Sequence, residues 1–318
     1  MIDSYGRRIN YLRISVTDLC NLRCRYCMPE KGIKKINYEN ILRLEEIVTI
    51  SQEFVALGVD KIRITGGEPL VRKNILKLVE DTAKLKGLKE LAMTTNGTLL
   101  REYAADLKNA GLNRINISLD TLNPMKYRHI TKGGRLKDVL AGIEKAKAAG
   151  LLPLKLNVVL IKGFNDNEIE DFIKLTQHEE IDVRFIELMP IGEVRHWSLN
   201  KYLSNNIILE KSKELISVKN EDTASPAQYF KLPDGKGRVG LINPISCKFC
   251  SKCNRIRLTA DGKLKNCLHS NEEIDLRNAL RNEEDIKKII INLVNNKPKE
   301  HKLEQGDYID RNMIAIGG

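Results

Sequence analysis

No run of apolar residues in this chain approaches the roughly 20 that a membrane-crossing helix requires. The segment Met1 to Asn10 is polar and basic and has no apolar core, so no secretory leader is expected. Aromatic residues make up 5% of the chain, with one tryptophan, and no basic stripe interleaved with aromatics occurs. Stacking on single-stranded nucleic acid therefore has little support. Cysteine is absent between Cys27 and Cys247. Disulfide scaffolds are short secreted chains, which a chain of 318 residues with cysteines confined to two groups does not match.

The cysteines that are present carry the strongest signal. Cys20, Cys24 and Cys27 stand in a C-x3-C-x2-C arrangement, and Cys247, Cys250, Cys253 and Cys267 form the second group. Three thiolates can hold three irons of a cubic [4Fe-4S] cluster and leave the fourth iron open to a small molecule. A fully ligated electron carrier uses four cysteines, and a structural zinc site wants four ligands, commonly as two separated pairs. Two metal or cluster sites in a reducing cytosol are the economical account. The net charge of +11 and a pI near 9.2 point to an anionic partner: nucleic acid, a nucleotide or a phosphorylated substrate.

Strand-like runs recur at Leu12–Thr17, Lys61–Thr65, Leu91–Thr95, Arg114–Asp120, Leu154–Ile161 and Val183–Met189. Helical periodicity falls between them. Leu44, Ile47, Val48, Phe54 and Val55 share one face before a stop at Gly58; Leu136–Ala149 stops at Gly150; Glu168–Gln177 is a third helix. Strand–helix alternation predicts a parallel α/β fold. A closed eight-unit barrel takes about 250 residues, so the expected architecture is an incomplete (β/α)6 TIM-type barrel with a C-terminal extension. The pattern weakens after Met189, and a boundary near residue 225 divides 1–225 from a C-terminal region, 226–318.

In a strand, alternate residues share a face. Arg13 and Ser15 oppose Leu12 and Ile14. Lys61, Arg63 and Thr65 oppose Ile62 and Ile64. Asn116, Ser118 and Asp120 oppose Ile115, Ile117 and Leu119, and Lys155 and Asn157 oppose Leu154, Leu156 and Val158. Parallel strands covered on both faces should be apolar throughout, so the polar faces predict a cavity. Buried cations need partners, and a polyanion is the natural one. The strand-end loops Thr65–Pro69, Thr94–Gly97 and Ser118–Asp120 fall where α/β sheets carry their sites.

Cys20-x3-Cys24-x2-Cys27 after a first strand, with Tyr26 inside the triplet and Gly66-Gly67-Glu68-Pro69 after the second strand, resembles the radical S-adenosylmethionine (SAM) superfamily. Phe249-Cys250-Ser251-Lys252-Cys253-Asn254-Arg255-Ile256-Arg257-Leu258, then Asp261-Gly262-Lys263, Cys267 and the terminal Ile316-Gly317-Gly318, is similar to the GTP 3′,8-cyclase family of molybdenum cofactor biosynthesis. The resemblance runs from about Tyr5 to Gly318.

It implies two [4Fe-4S] clusters and SAM as cofactors. Cys20, Cys24 and Cys27 would hold the first cluster; Cys250, Cys253 and Cys267 would hold the second. Cys247-x2-Cys250-x2-Cys253 is also a ligand run, but the family pattern leaves Cys247 over. Tyr26, Gly67, Ser118 and Met189 match SAM-contacting positions. Arg13, Arg63, Thr94, Lys155, Arg255 and Arg257 match GTP-contacting positions, and Lys61 and Arg184 are added to them. No catalytic side chain is expected beyond the first cluster and SAM. The implied partners are GTP, an external electron donor and the next enzyme of the pathway, cyclic pyranopterin monophosphate synthase. A homodimer is compatible; a membrane or nucleic acid is not the expected partner, and the expected compartment is the cytoplasm. Two competing readings are a radical SAM maturase acting on a peptide and a non-catalytic basic cluster protein that binds nucleic acid.

Overall fold

The protein is described from a computed structural model, which covers residues 1–33, 36–220 and 222–317. Gly318, the last residue of the tail pattern, lies outside the described residues. The chain alternates β1 (Tyr11–Ser15), α1 (Leu44–Ala56), β2 (Lys61–Thr65), α2 (Ile75–Ala83), β3 (Glu90–Thr95), α3 (Leu100–Asn109) and β4 (Arg114–Ser118). Then come α4 (Pro124–Ile130), α5 (Leu136–Ala148), β5 (Leu154–Leu160), α6 (Ile169–His178) and β6 (Ile181–Glu187). The C-terminal third adds α7 (Arg195–Asn200), α8 (Asn206–Lys211), β7 (Ile216–Val218), β8 (Ala227–Lys231), β9 (Val239–Ile242), β10 (Arg255–Leu258), β11 (Lys263–Lys265) and β12 (Ile274–Asp275). Helices α9 (Leu276–Arg281), α10 (Ile286–Asn295) and α11 (Met313–Ile316) complete it.

Among the described residues, one sheet takes in all twelve strands, in the order β12-β11-β10-β1-β2-β3-β4-β5-β6-β9-β8-β7. Strands β1 to β6 are parallel neighbours in chain order, the expected partial barrel. The C-terminal region does more than append a cluster site. Its β10 pairs parallel with β1 and its β9 pairs parallel with β6, one on each flank.

The alternation read from the sequence is realised. Leu12, Ile14, Ile62, Ile64, Ile115 and Ile117 pack into the main core against the helices. The polar residues of the same strands take the other face. Helix α1 begins where the Glu46 carboxylate accepts the Arg43 N–H at 2.7 Å, and it ends before Gly58 at φ +95, a left-handed value that suits glycine. Strands β1, β4 and β6 each stop two residues short of expectation, and the turns after β1 and β4 show why. After Ser15 the chain turns aside, and the Thr17 carbonyl accepts the Gly67 N–H at 2.8 Å. After Ser118, the Asp120 carboxylate accepts the Val159 N–H at 2.9 Å. Both turns aim loop residues into the cavity instead of continuing the sheet.

Candidate active site

Cys20, Cys24 and Cys27 line one cavity at the ends of the strands, together with Tyr26, Gly67, Thr94, Ser118 and Met189. A tight turn groups two of the thiols: the Cys24 carbonyl accepts the N–H of Cys27 at 3.0 Å and of Met28 at 3.1 Å. The loop after β2 braces this turn from beside. The Glu68 N–H donates to the Leu19 carbonyl at 2.8 Å. A Cβ on Gly67 would stand 2.3 Å from that carbonyl oxygen, so this close approach needs glycine. Glu68 is fully buried, and its carboxylate accepts from Thr95 Oγ1 at 2.7 Å and from the Asn96 N–H at 2.7 Å. Burial pushes its carboxyl up to about 7 against those hydrogen bonds. It staples the ends of β2 and β3 together.

The donor set fits an iron–sulfur cluster. Burial pushes the Cys24 thiol well above its ordinary value, with Cys27 and Asp120 adding to the shift; burial does the same to Cys27, reinforced by Cys20. Three such thiols become thiolates only against a strong local positive charge. Among the described residues, no three His, Cys, Asp or Glu side chains converge on a single metal ion. Cubane ligands sit on separate irons and so stand farther apart than the ligands of one ion. The Tyr26 hydroxyl donates to Asp120 at 2.5 Å, which fixes the ring inside the triplet. Burial pushes the Asp120 carboxyl up to about 6, although Tyr26 and the Val159 N–H pull it down.

A second cavity is lined by Arg13, Arg63, Arg184, Arg255 and Arg257 on one side and by Cys250, Cys253 and Cys267 on the other. Strand register makes the cation array. Arg63, Arg13 and Arg257 stand abreast on β2, β1 and β10, and Lys61, Tyr11 and Arg255 form the row below. Burial pushes Arg63 and Arg257 down to about 10. The Arg255 guanidinium lies 5.0 Å over the Phe249 ring, and Arg257 donates to the Gly317 carbonyl at 2.8 Å. The Cys253 N–H donates to the Cys250 carbonyl at 3.1 Å, repeating the turn of the first triplet. Burial raises the Cys253 thiol, but Lys297 and Arg255 outweigh it and bring it down to about 7. Burial raises the Cys250 thiol, so the cationic wall favours the thiolate at Cys253 in this triplet.

The two cavities share a wall made of Asn157, Ile186, Met189 and Met313.

The comparisons with known proteins agree with this geometry. The Radical SAM superfamily model matches residues 14–176, and the Molybdenum Cofactor Synthesis C model matches residues 181–303. The chain is 60% identical to the GTP 3′,8-cyclase of Peptoclostridium acidaminophilum, over 100% of this chain and 98% of that protein. It is 55% identical to the GTP 3′,8-cyclase of Alkaliphilus oremlandii over 100% of both. The chain belongs to the GTP 3′,8-cyclase family. A solved structure of Streptococcus suis SuiB bound to S-adenosylmethionine shares the fold, with a TM-score of 0.65 at 13% identity. That match covers 89% of this chain, which spans 65% of the SuiB chain.

As in a GTP 3′,8-cyclase family member, the cofactors are SAM and two [4Fe-4S] clusters, with three cysteines in the first matched region and four in the second. Of the residues read from the sequence, Tyr26, Gly67, Ser118 and Met189 meet at the first cavity. Thr94 lines that same cavity and not the second. Arg13, Arg63, Arg184, Arg255 and Arg257 meet at the second. Lys61 and Lys155 stand on its flank: Lys61 is paired with Asp222 at 2.6 Å and Lys155 with Asp182 at 3.5 Å. Cys247 is exposed and lines a surface groove with Lys248 and Lys252, whereas the other three cysteines of its group line the second cavity.

Sequence reading missed several members of the second site. Tyr11 shares the face of Arg13 and was open to the same parity reasoning. His269 and His301 stand with ring centroids 4.9 Å apart and line the cavity, as does Lys297, whose Nζ donates to the Arg255 carbonyl at 3.0 Å. No local pattern marks these three.

Proposed function

We propose that this protein converts GTP to (8S)-3′,8-cyclo-7,8-dihydroguanosine 5′-triphosphate, the first step of molybdenum cofactor biosynthesis. The observation that carries the reading is the shared wall: a three-cysteine cavity and a cavity lined by arginines and a second cysteine triplet have Asn157, Ile186, Met189 and Met313 in common. Cys20, Cys24 and Cys27 hold the first cluster, with Tyr26, Gly67, Ser118 and Met189 around SAM. When bound, this pair supplies reductive cleavage of SAM and hence hydrogen abstraction from C3′ of the GTP ribose, after which C3′ closes on C8. The chain's own task is placement. Arginine forks bind phosphate oxygens in pairs, so Arg13, Arg63, Arg184, Arg255 and Arg257 grip the triphosphate, and Lys61 and Lys155 extend the field from the flank. Thr94, whose buried Oγ1 has no partner, is free to meet ligand from the first cavity. Cys250, Cys253 and Cys267 would hold the second cluster in the same cavity, with Cys247 outside the ligand set. Met189 and Ile186 exclude water between the halves, and that fixed approach is where rate is gained. An array of five arginines suits a nucleotide better than a peptide.

On this reading 226–318 is the second-cluster region and 1–225 the radical SAM part. An external reductant supplies electrons, cyclic pyranopterin monophosphate synthase takes the product, and the reaction runs in the cytoplasm. Among the described residues, no helix is long and apolar enough to cross a membrane.

The test is anaerobic reconstitution with iron and sulfide, followed by GTP, SAM and a reductant. About eight irons per chain are expected, together with 5′-deoxyadenosine formed in step with consumption of GTP. SAM cleavage indifferent to GTP, with no cyclised nucleotide, would sink the proposal.

A further inference from the structure

The cations around the second cavity differ in what holds them. On the flank the partners are carboxylates: Asp222 for Lys61, Asp182 for Lys155 and Glu90 for Arg114. For Arg63, Arg184, Arg255 and Arg257 inside the cavity the hydrogen-bond partners are neutral. Arg255 donates to the Ala224 carbonyl at 3.0 Å and Arg257 to the Gly317 carbonyl at 2.8 Å. Arg184 Nη2 donates to Asn157 Oδ1 at 2.6 Å. Arg63 and Arg184 converge on one amide, that of Asn116. Its oxygen accepts from Arg63 Nη1 at 2.5 Å and from Arg184 Nη2 at 2.9 Å. The amide must turn this way because its NH2 group cannot face two guanidiniums.

Asn116 is completely buried, in register between Thr94 on β3 and Lys155 on β5. An aspartate has the same shape. It would make stronger, charge-assisted bonds to both guanidiniums and relieve their mutual repulsion in the empty protein. The chain has the weaker acceptor at this buried position, which touches two arginines. A carboxylate there would cancel charge that a polyanion uses.

We propose that Asn116 is a positioning residue of the anion site: its neutral oxygen sets Arg63 and Arg184 side by side while leaving their charge for the phosphate chain of a nucleoside triphosphate. Asn157 does the same for Arg184 from the adjacent strand. The inference rests on the functional reading above and adds the rule by which that site keeps its charge.

Wild type and Asn116→Asp, both with clusters reconstituted, are compared for GTP binding by equilibrium dialysis and for thermal unfolding without GTP. The variant should bind GTP at least about tenfold more weakly, with a shallower dependence on salt, and should melt at a higher temperature. Asn116→Leu removes the acceptor without adding charge, so its affinity and melting temperature should both fall. A role in packing alone cannot produce the opposed changes expected of Asn116→Asp. Unchanged GTP affinity in that variant overturns the inference, as does a melting temperature that falls together with affinity. If Asn116→Asp does not fold, Asn157→Asp carries the same expectation through Arg184, and unchanged affinity there overturns it. Inorganic triphosphate in the same dialysis separates the two readings. Wild type that binds triphosphate but not GTP refutes the GTP reading, and weaker triphosphate binding by Asn116→Asp still supports the inference. Wild type that binds neither refutes both.

Discussion

Burial pushes the Lys155 ammonium down to about 7, helped by Arg184 and Arg114, although Asp182 stands 3.5 Å away. Its ordinary value is 10.5, so between those two values the unfolded chain binds more protons at this site than the native protein does. Stability from this group therefore rises with pH across that window, and it is lost as pH falls through the lower value. A bound triphosphate works the other way and favours the charged form. At about pH 8, GTP binding should take up a fraction of a proton at Lys155. Calorimetry in buffers of differing ionisation enthalpy reads that uptake directly, and Lys155→Met should abolish it. Identical heats in all buffers for wild type would show that Lys155 does not sense the ligand. Strand parity alone made Arg13 and Arg63 legible as cations facing one cavity; it put Lys155 there too, but Lys155 stands on the flank, paired with Asp182. It also put Asn116 on that face but could not tell what the amide touches, because the contact to Arg184 depends on how β4, β5 and β6 come together. His269, His301 and Lys297 were illegible because their roles come from tertiary approach and not from spacing.

At the scale of elements, the segment before β1 is tied to the second site. The Arg7 guanidinium pairs with Asp3 at 2.6 Å and donates to the carbonyls of Cys250 at 2.9 Å, Lys299 at 3.0 Å and Pro298 at 2.8 Å. One buried side chain thus joins the N-terminal turn, the Cys250 loop and the segment after α10. Replacing Arg7 with Ala strands a buried carboxylate and four carbonyls, that of Lys297 at 3.3 Å included, a loss of about 3 kcal/mol or more. Reconstituted Arg7→Ala should hold about four irons per chain in place of about eight, with weaker GTP binding. Full iron content in that variant would show that the Cys250 loop stands without the tie. Met1–Asn10 lacks periodicity, so nothing in its sequence announced this connection. The long elements were plain by contrast: Leu44–Ala56, Leu136–Ala148 and Ile169–His178 carry two or more turns of apolar repeat. The stretch from Gly192 to Gly240 read as irregular because α7, α8 and β7 are each too short to establish a period.

For the whole molecule, the decisive contacts join residues far apart in the chain. Arg13 on β1 stands beside Arg257 on β10, and Ile186 on β6 stands beside Ile242 on β9. A chain ended at residue 225 would keep β1 to β6 but lose both flanking partners. It should bind a hydrophobic dye and elute as aggregates, because each bared strand offers an open ladder of N–H and C=O groups. A monodisperse product with native near-ultraviolet dichroism would contradict this. The sequence pattern gave the count and direction of the first six strands. It could not reveal that later ones return to both edges, since Arg255–Leu258 is a four-residue run whose neighbour is set by long-range pairing. The same feature bears on how the protein is made. Synthesis runs from the N-terminus, and β1 to β6 emerge with two open flanks that stay uncovered until β9 and β10 follow. Each nascent chain passes through an interval in which a neighbouring nascent strand competes with its own. Yield then depends on how quickly the last third is delivered and on how far apart the chains being made are kept.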